Sequence, residues 1–435
     1  MKMTARKPGQ FLCAVLAALL ILAVAPSGAR AGLLDEVDLH GFWDNRAGLR
    51  LQDDAYQRRT SLLESRLQLE GLYQGDVVTW QVRGDFVADD VTEEHDVDLE
   101  EGSGWFDLRE ANLLVSPTDW LDLKVGRQIL TWGTGDLLFL NDLFPKDWQA
   151  FFIGRDVEYL KAPSDALLAS FYPEWGTIDL VYTPRFDPDR FIRGERISYY
   201  NPLLGRTAGR DAPVRVDERR DWFDEDEFAL RVSRNIGSFE AALYGYLGYW
   251  KSPAGFDAAS GRNTFPRLNV WGASLRGPVA DGIGNLELAW YDSRDDAGGD
   301  DPLLPNSEGR LLLGYERELA RDFTIGLQYY LERLLDYDAY RRTLPAGTPK
   351  RDENRHLLTL RLTRLLLNQN LTLSLFAYYS PSDEDAYLRP SASYKLTDSW
   401  QLSGGGNIFA GRRDHTFFGQ FEEATNVYAA IRYSF

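Results

Sequence analysis

The chain has 435 residues, 44% of them hydrophobic, with 48 basic against 66 acidic side chains for a formal charge of −18 and a mean hydropathy of −0.36. So acidic a chain repels a phosphate backbone, which sets nucleic acid aside as a partner. No stretch of about 18 uninterrupted apolar residues occurs anywhere in it, which sets aside a helical membrane protein but not a transmembrane barrel, where only the outward half of each strand must be apolar.

At the N-terminus, Lys2, Arg6 and Lys7 precede the apolar run FLCAVLAALLILAVA from Phe11 to Ala25, followed by Ala29-Arg30-Ala31. This is the anatomy of a secretory signal peptide over residues 1–31, cleaved after Ala31 and leaving residues 32–435 as the mature chain. The run falls short of the roughly 20 residues a membrane anchor needs. Cys13, the single cysteine, leaves with the signal, so the mature chain is expected to hold no disulfide, thiolate metal site, covalently attached haem or lipidated N-terminal cysteine. Losing four basic residues and no acids takes the charge from −18 to −22.

Beyond residue 31 the pattern has a period of two from end to end. In chain order, strand-like stretches begin at Val37 (VDLHGFWDNRAGLRL), Arg66 (RLQLEGLY), Val77 (VVTWQVRGDFVA), Trp120 (WLDLKVGRQ) and Thr177 (TIDLVYT). Further ones begin at Glu227 (EFALRVS), Ser238 (SFEAALYGYLGYW), Asn285 (NLELAWYD), Arg310 (RLLLGYER) and Phe323 (FTIGLQYYLER). The last set begins at His356 (HLLTLRLT), Leu371 (LTLSLFAYYS), Tyr387 (YLRPSASYKL), Trp400 (WQLSGGGNIFA) and Asn426 (NVYAAIRYSF). Weaker candidates at 109–115, 166–171 and 268–275 bring the expectation to about 18 strands.

The links between strands alternate in length. Tight ones lie at 74–76, 116–119, 173–176, 235–238, 319–322, 365–370 and 396–399, and long polar ones at 89–104, 133–165 and 186–226. Short turns on one rim and long loops on the other are expected of an all-β, transmembrane antiparallel barrel of the bacterial outer membrane, with short periplasmic turns and long extracellular loops. A soluble sandwich leaves that asymmetry without a cause. In the last strand, Val427, Ala429, Ile431, Tyr433 and Phe435 share one face and Tyr428, Arg432 and Ser434 the other, so the first is assigned to lipid and the second to a polar lumen. The terminal Phe435 resembles the C-terminal signature that the barrel assembly machinery recognises, and lipopolysaccharide and outer-membrane lipid are the expected neighbours outside. Trp43, Trp80, Trp105, Trp120, Trp132, Trp250, Trp290 and Trp400 are expected at the membrane interfaces.

Eighteen strands spaced about 4.8 Å apart and tilted near 40° enclose a cylinder roughly 36 Å across, too wide for side chains to fill. The inward alternates carry Arg66, Arg83, Arg231, Arg361, Arg389 and Arg432, with Glu70, Asp85, Glu240, Glu287 and Glu332. They are the candidate pore-lining residues, either a solute path or a set of mutually paired wall charges. An arginine-enriched wall suits an anionic or hydroxyl-rich solute, because the guanidinium fork matches carboxylates. The loop at 133–165 contains DLLFLNDLFPKDWQAFF, too apolar for a freely solvated loop; it is expected either to pack into the lumen as a constriction or to form a small outer cap.

Gly126-Arg127-Gln128, then Trp132-Gly133, then Asn141-Asp142 with Pro145 resembles the strand-and-loop signature of porin-like barrels related to the alginate-export group, over about residues 108–185. The resemblance implies an 18-strand channel whose long third loop folds inward. No full set of that family's sugar-binding positions is matched. Strict alternation puts Arg127 on the lipid face unless a bulge shifts the register.

Other chemistry has no support. His40, His95, His356 and His415 are scattered without ligand spacing, no nucleophile elbow or phosphate loop occurs, and the acidic stretches from Asp89 and Asp292 lack calcium-loop spacing. The expectation is a non-enzymatic channel, without cofactor or catalytic or metal-binding residues, for diffusion or export of small hydrophilic solutes. A sheath enclosing a periplasmic partner, and after it an outer-membrane hydrolase, are the alternatives.

Overall fold

In the computed structural model, residues 37–91 and 96–435 are described; the expected signal peptide and His95 lie outside them. The first half of the chain forms β1 (Val37–Arg50), β2 (Thr60–Gln74), β3 (Val78–Asp89), β4 (Phe106–Thr118), β5 (Leu121–Gln128), β6 (Ser164–Phe171), β7 (Thr177–Thr183), the small hairpin β8 (Tyr199–Asn201) and β9 (Arg206–Ala208), β10 (Glu227–Ile236) and β11 (Phe239–Tyr249). The second half forms the small hairpin β12 (Gly255–Asp257) and β13 (Arg262–Thr264), then β14 (Arg267–Val279), β15 (Gly282–Ser293), β16 (Glu308–Ala320), β17 (Phe323–Leu334), β18 (Asn354–Leu366), β19 (Leu371–Ser380), β20 (Asp385–Lys395), β21 (Trp400–Gly411) and β22 (Asn426–Ser434).

Apart from the two hairpins, these strands make one 18-stranded sheet in which each pairs with the next. β22 returns to pair antiparallel with β1, Ala47 opposite Ala429, so the sheet is a closed barrel. Gly41 and Phe435 exchange backbone hydrogen bonds of 3.0 Å in both directions, carrying the seam to the last residue. Closure satisfies every strand edge, a requirement in hydrocarbon, where no water substitutes for a missing partner.

Connections of a few residues at 75–77, 119–120, 172–176, 237–238, 280–281, 321–322, 367–370 and 396–399 lie on one rim, with both barrel termini. At 237–238, Gly237 takes φ +62°, the left-handed geometry that a two-residue turn between twisted strands demands. The opposite rim carries the long connections, above all 129–163 and 184–226, with 381–384 as its one short link.

The alternation decides what each face meets. Outside, Leu69, Val82, Leu243, Leu275, Leu288, Leu327, Leu358, Leu402 and Ile431 stand exposed as an apolar band. Of the outward set of β22, Val427, Ala429, Ile431 and Phe435 are exposed and Tyr433 is half-buried beside Trp400. The buried core lies within the cylinder. Leu140, Phe144, Phe151, Phe152 and Ile153 from the 129–163 connection pack against Leu312, Tyr330, Tyr378, Tyr387 and Phe409 of the wall. Each fully buried side chain of this size stabilises by about 1.5–3 kcal/mol, which is why the apolar loop enters the barrel and does not cap it.

Candidate functional site: the lumen and its internal loop

The internal loop is pinned at both ends and along its length. At its start, Glu287 of β15, fully buried, accepts hydrogen bonds from Thr134 Oγ1 (2.9 Å), the Gly135 amide (2.7 Å) and Asn141 Nδ2 (2.8 Å), as well as from the Thr134 amide. Asp136 accepts from Arg361 Nη2 of β18 at 2.6 Å, and its backbone bonds Gln328 of β17. Next, Tyr291 Oη donates to the Leu140 carbonyl (2.6 Å) and Tyr378 Oη to that of Leu137 (2.9 Å). A one-and-a-half-turn helix, α1 (Trp148–Ile153), follows; Asp147 caps it by accepting from the Ala150 amide at 2.7 Å, and Gly154 ends it at φ +92°.

Beyond the helix the loop meets a second set of partners. Arg155 pairs with Glu64 of β2 at 2.6 Å, Asp156 with Arg432 of β22 at 3.1 Å, and Tyr159 Oη donates to Asp85 of β3 at 2.8 Å. Burial pushes the Tyr159 phenol up, so it remains a neutral donor to that carboxylate. The guanidinium groups of Arg66 and Arg109 lie 4.4 and 4.9 Å from the centre of its ring, one more tie between loop and wall.

The eleven residues expected to line the lumen divide into two zones of this interior, with Glu70 accepting from Gln81 at 2.6 Å and Glu332 from Arg351 at 2.8 Å. In the loop-filled half, Arg66 bonds Glu64 (2.9 Å) and Asp85 (2.5 Å), Asp85 is fully buried, and Glu287 serves as the loop anchor. Toward the turn rim the side chains remain partly exposed: Arg83 paired with Glu110 at 2.6 Å, Arg231 with Glu240 at 2.7 Å, Arg361 with Asp136, and Arg432 with Asp44 at 3.0 Å. Arg389 alone of the six arginines has no carboxylate partner among the described residues; its guanidinium lies over the Phe151 ring of α1, 4.2 Å from its centre. The register aligns Arg361, Phe376 and Arg389 in one row across β18, β19 and β20.

The segment picked out by resemblance sits where the loop leaves β5. Arg127 is a correction: its side chain is buried on the lumen side, with Nε donating to the Leu108 carbonyl (2.6 Å) and Nη1 to Asp165 (3.1 Å). The cause is Gly126 at φ +116°, which breaks the pleat so that Arg127 and Gln128 are buried consecutively. Gln128 donates to the Ala166 carbonyl at 2.9 Å, Gly133 turns at φ +80°, and Asn141 reaches Glu287. Trp132 and Trp250 are also corrected. Trp132 packs edge-on against Phe144 inside the barrel at 4.9 Å, and Trp250 lies 5.7 Å from the inward Tyr291, so neither meets a membrane interface.

Several interior charges escape sequence reading. Arg190, in the 184–226 connection, grips Asp107 of β4 with two bonds of 2.8 and 3.0 Å; burial alone would lower Arg190, but Asp107 and Asp147 overcome this and hold it above its ordinary range. Arg109 and Glu110 both point inward because the β3–β4 register shifts at that point. Glu308, Arg310 and Arg351 likewise join the expected Glu332 in an ion-paired cluster near the loop rim.

This architecture matches solved structures over nearly its whole length. OccAB4 from Acinetobacter baumannii aligns with a TM-score of 0.57 at 10% identity, covering 92% of this chain and 98% of that one. OccAB3 from the same organism aligns with a TM-score of 0.54 at 10% identity, covering 92% and 99%. The chain has the fold of an outer-membrane porin. With its apolar outer band, that fold puts this porin-like barrel in the bacterial outer membrane. No protein-family model matches the sequence, and no curated protein matches it. The likeness is therefore to porin-like barrels in general, and the narrower resemblance to the alginate-export group rests on the 126–145 motif alone.

Proposed function

We propose that the protein is a channel for small hydrophilic solutes, with the 129–163 loop setting its constriction. The carrying observation is the gradient of exposure along the inner wall. Side chains packed beneath the loop are sealed, Asp85 and Glu287 completely, whereas Arg361 at the loop's edge is 29% exposed and Arg231 and Glu240 nearer the turns are 25% and 45% exposed. A polar, charged chamber narrowing toward a fixed internal loop is a channel's anatomy, and the ion pairs along its wall suit a solute path.

The preferred solute is anionic or sugar-like. Carboxylates of the described residues pair with five of the six inward arginines, which leaves Arg389, at the edge of the loop and beside the Phe151 ring, as the one of the six free to attract a carboxylate. Outside, lipopolysaccharide and lipid face the apolar band, and Phe435 is offered to the barrel assembly machinery.

Swelling of proteoliposomes in a graded series of neutral and acidic sugars tests the reading. Size-limited entry, faster for the acids, is the expected result. Absence of both swelling and conductance from correctly folded protein would discard it, and co-purification with one periplasmic protein would then favour the sheath.

A further inference from the structure

Three long connections meet at one point on the loop rim. Glu100 comes from the 90–105 connection, Asp165 from the end of β6 that closes the internal loop, and Asp187 from the 184–226 connection, and one carboxylate oxygen of each lies within 4.8 Å of the other two. Carboxylates do not converge by mutual attraction. Two arginines are at hand, Arg127 bonded to Asp165 (3.1 Å) and Arg185 bonded to Glu100, and Lys251, whose Nζ reaches the Asp187 carbonyl at 3.0 Å, is matched by Glu227 at 2.6 Å, which leaves one carboxyl of the three without a counterpart.

Asp187 carries that excess into the protein. It is only 2% exposed, the Asp165 amide donates to its Oδ2 at 3.0 Å, and no donor reaches its Oδ1. A buried carboxyl oxygen without a partner is strongly unfavourable unless a proton or a cation sits beside it. Its carboxyl lies in hydrogen-bonding contact with that of Glu100, so two acceptors face each other with only a proton or a cation able to join them.

We propose that Glu100, Asp165 and Asp187 bind one calcium ion that ties the three loops together. Calcium takes oxygen ligands at about 2.3–2.6 Å in a flexible shell of six to eight, so oxygens opposed across one ion stand about 4.8 Å apart, the outer limit of this cluster. Water completes the shell, since Glu100 and Asp165 are about a third open. The nearby arginines weaken the site, and the affinity belongs with extracellular modules, about 10⁻⁴–10⁻³ M. Magnesium demands near-ideal octahedral geometry and gives up its water reluctantly, so three carboxylates from three separate segments suit it less well. This inference is independent of the channel reading.

The experiment is calorimetric titration of calcium into the full-length, folded protein in lipopolysaccharide-free detergent after chelator treatment, with folding judged by heat-modifiable electrophoretic mobility. One saturable site is expected, weakened at least tenfold by Asp187→Asn and by Glu100→Gln, and unchanged by Asp300→Asn in an unrelated acidic loop. Glu100→Gln keeps the test meaningful if Asp187→Asn disturbs folding. No saturable site in folded protein, or equal binding in all three variants, overturns the proposal and leaves a shared proton as the link between Glu100 and Asp187.

Discussion

Glu287 and Asn141 stand 146 positions apart in sequence and meet at 2.8 Å in the middle of the barrel. Around that contact Glu287 collects three further donors from Thr134 and Gly135, so one wall carboxylate fixes the entry of the internal loop. Glu287→Ala strands several buried donors at about 1–3 kcal/mol each. Its channels should show larger, noisier conductance than the parent. Single-channel recordings indistinguishable from the parent would mean that the loop is held elsewhere.

Removing residues 138–151 takes out the part of the loop that packs on Tyr378, Tyr387 and Phe409. Conductance in planar bilayers should rise severalfold, because the interior zone that the loop fills becomes water. An unchanged conductance in a protein that still migrates as a folded barrel would show that the narrowest point lies in another segment.

Arg389 makes no ion pair among the described residues, and its contact with Phe151 is a cation–π stack worth about 0.5–2 kcal/mol. Arg389→Glu therefore reverses a charge beside the loop at small cost to the fold. The reversal potential in a salt gradient should move toward cation preference, and uptake of acidic sugars should slow more than that of neutral ones. A matched loss for both solute classes would assign the effect to pore shape.

Leu243 projects from the middle of β11, opposite Ala273 and Val232, and is 63% exposed on the outer face. If hydrocarbon covers it, Leu243→Arg destabilises by about 2–4 kcal/mol, the cost of a midplane cation on a barrel's lipid face. Urea unfolding from phospholipid vesicles measures this. A change under about half a kilocalorie would place the residue at a headgroup level.

The barrel was legible because a strand's period is fixed by its backbone and both solvents impose their mark on alternate residues. All fifteen plain stretches and the three weaker ones, at 109–115, 166–171 and 268–275, fall on barrel strands. The interior was legible only in kind. That Arg66 or Arg432 points inward follows from alternation; that Arg66 is matched by Asp85 depends on the next strand, and that Arg432 is matched by Asp44 on a residue 388 positions away across the seam. Arg127 was misassigned because one glycine with positive φ breaks the pleat, an event that alternation does not encode. The apolar character of 138–151 announced burial, but its choice of the lumen over an outer cap is decided by the ring-lined wall that receives it. The small hairpins β8–β9 and β12–β13 carry too few residues to show a period.

Phe152 and Gly154, almost adjacent on the internal loop, hold opposite sides of the barrel's seam: the Phe152 carbonyl accepts from Asn426 Nδ2 of β22 at 3.1 Å, and the Gly154 carbonyl from Arg46 Nη1 of β1 at 2.8 Å. A segment from the chain's middle thereby acts as a clasp over the join between its two ends. During biogenesis the clasp has nothing to fasten until the final strand has been delivered, so a truncated chain loses its last hairpin's partner and, with it, half the footing of the plug that narrows the passage.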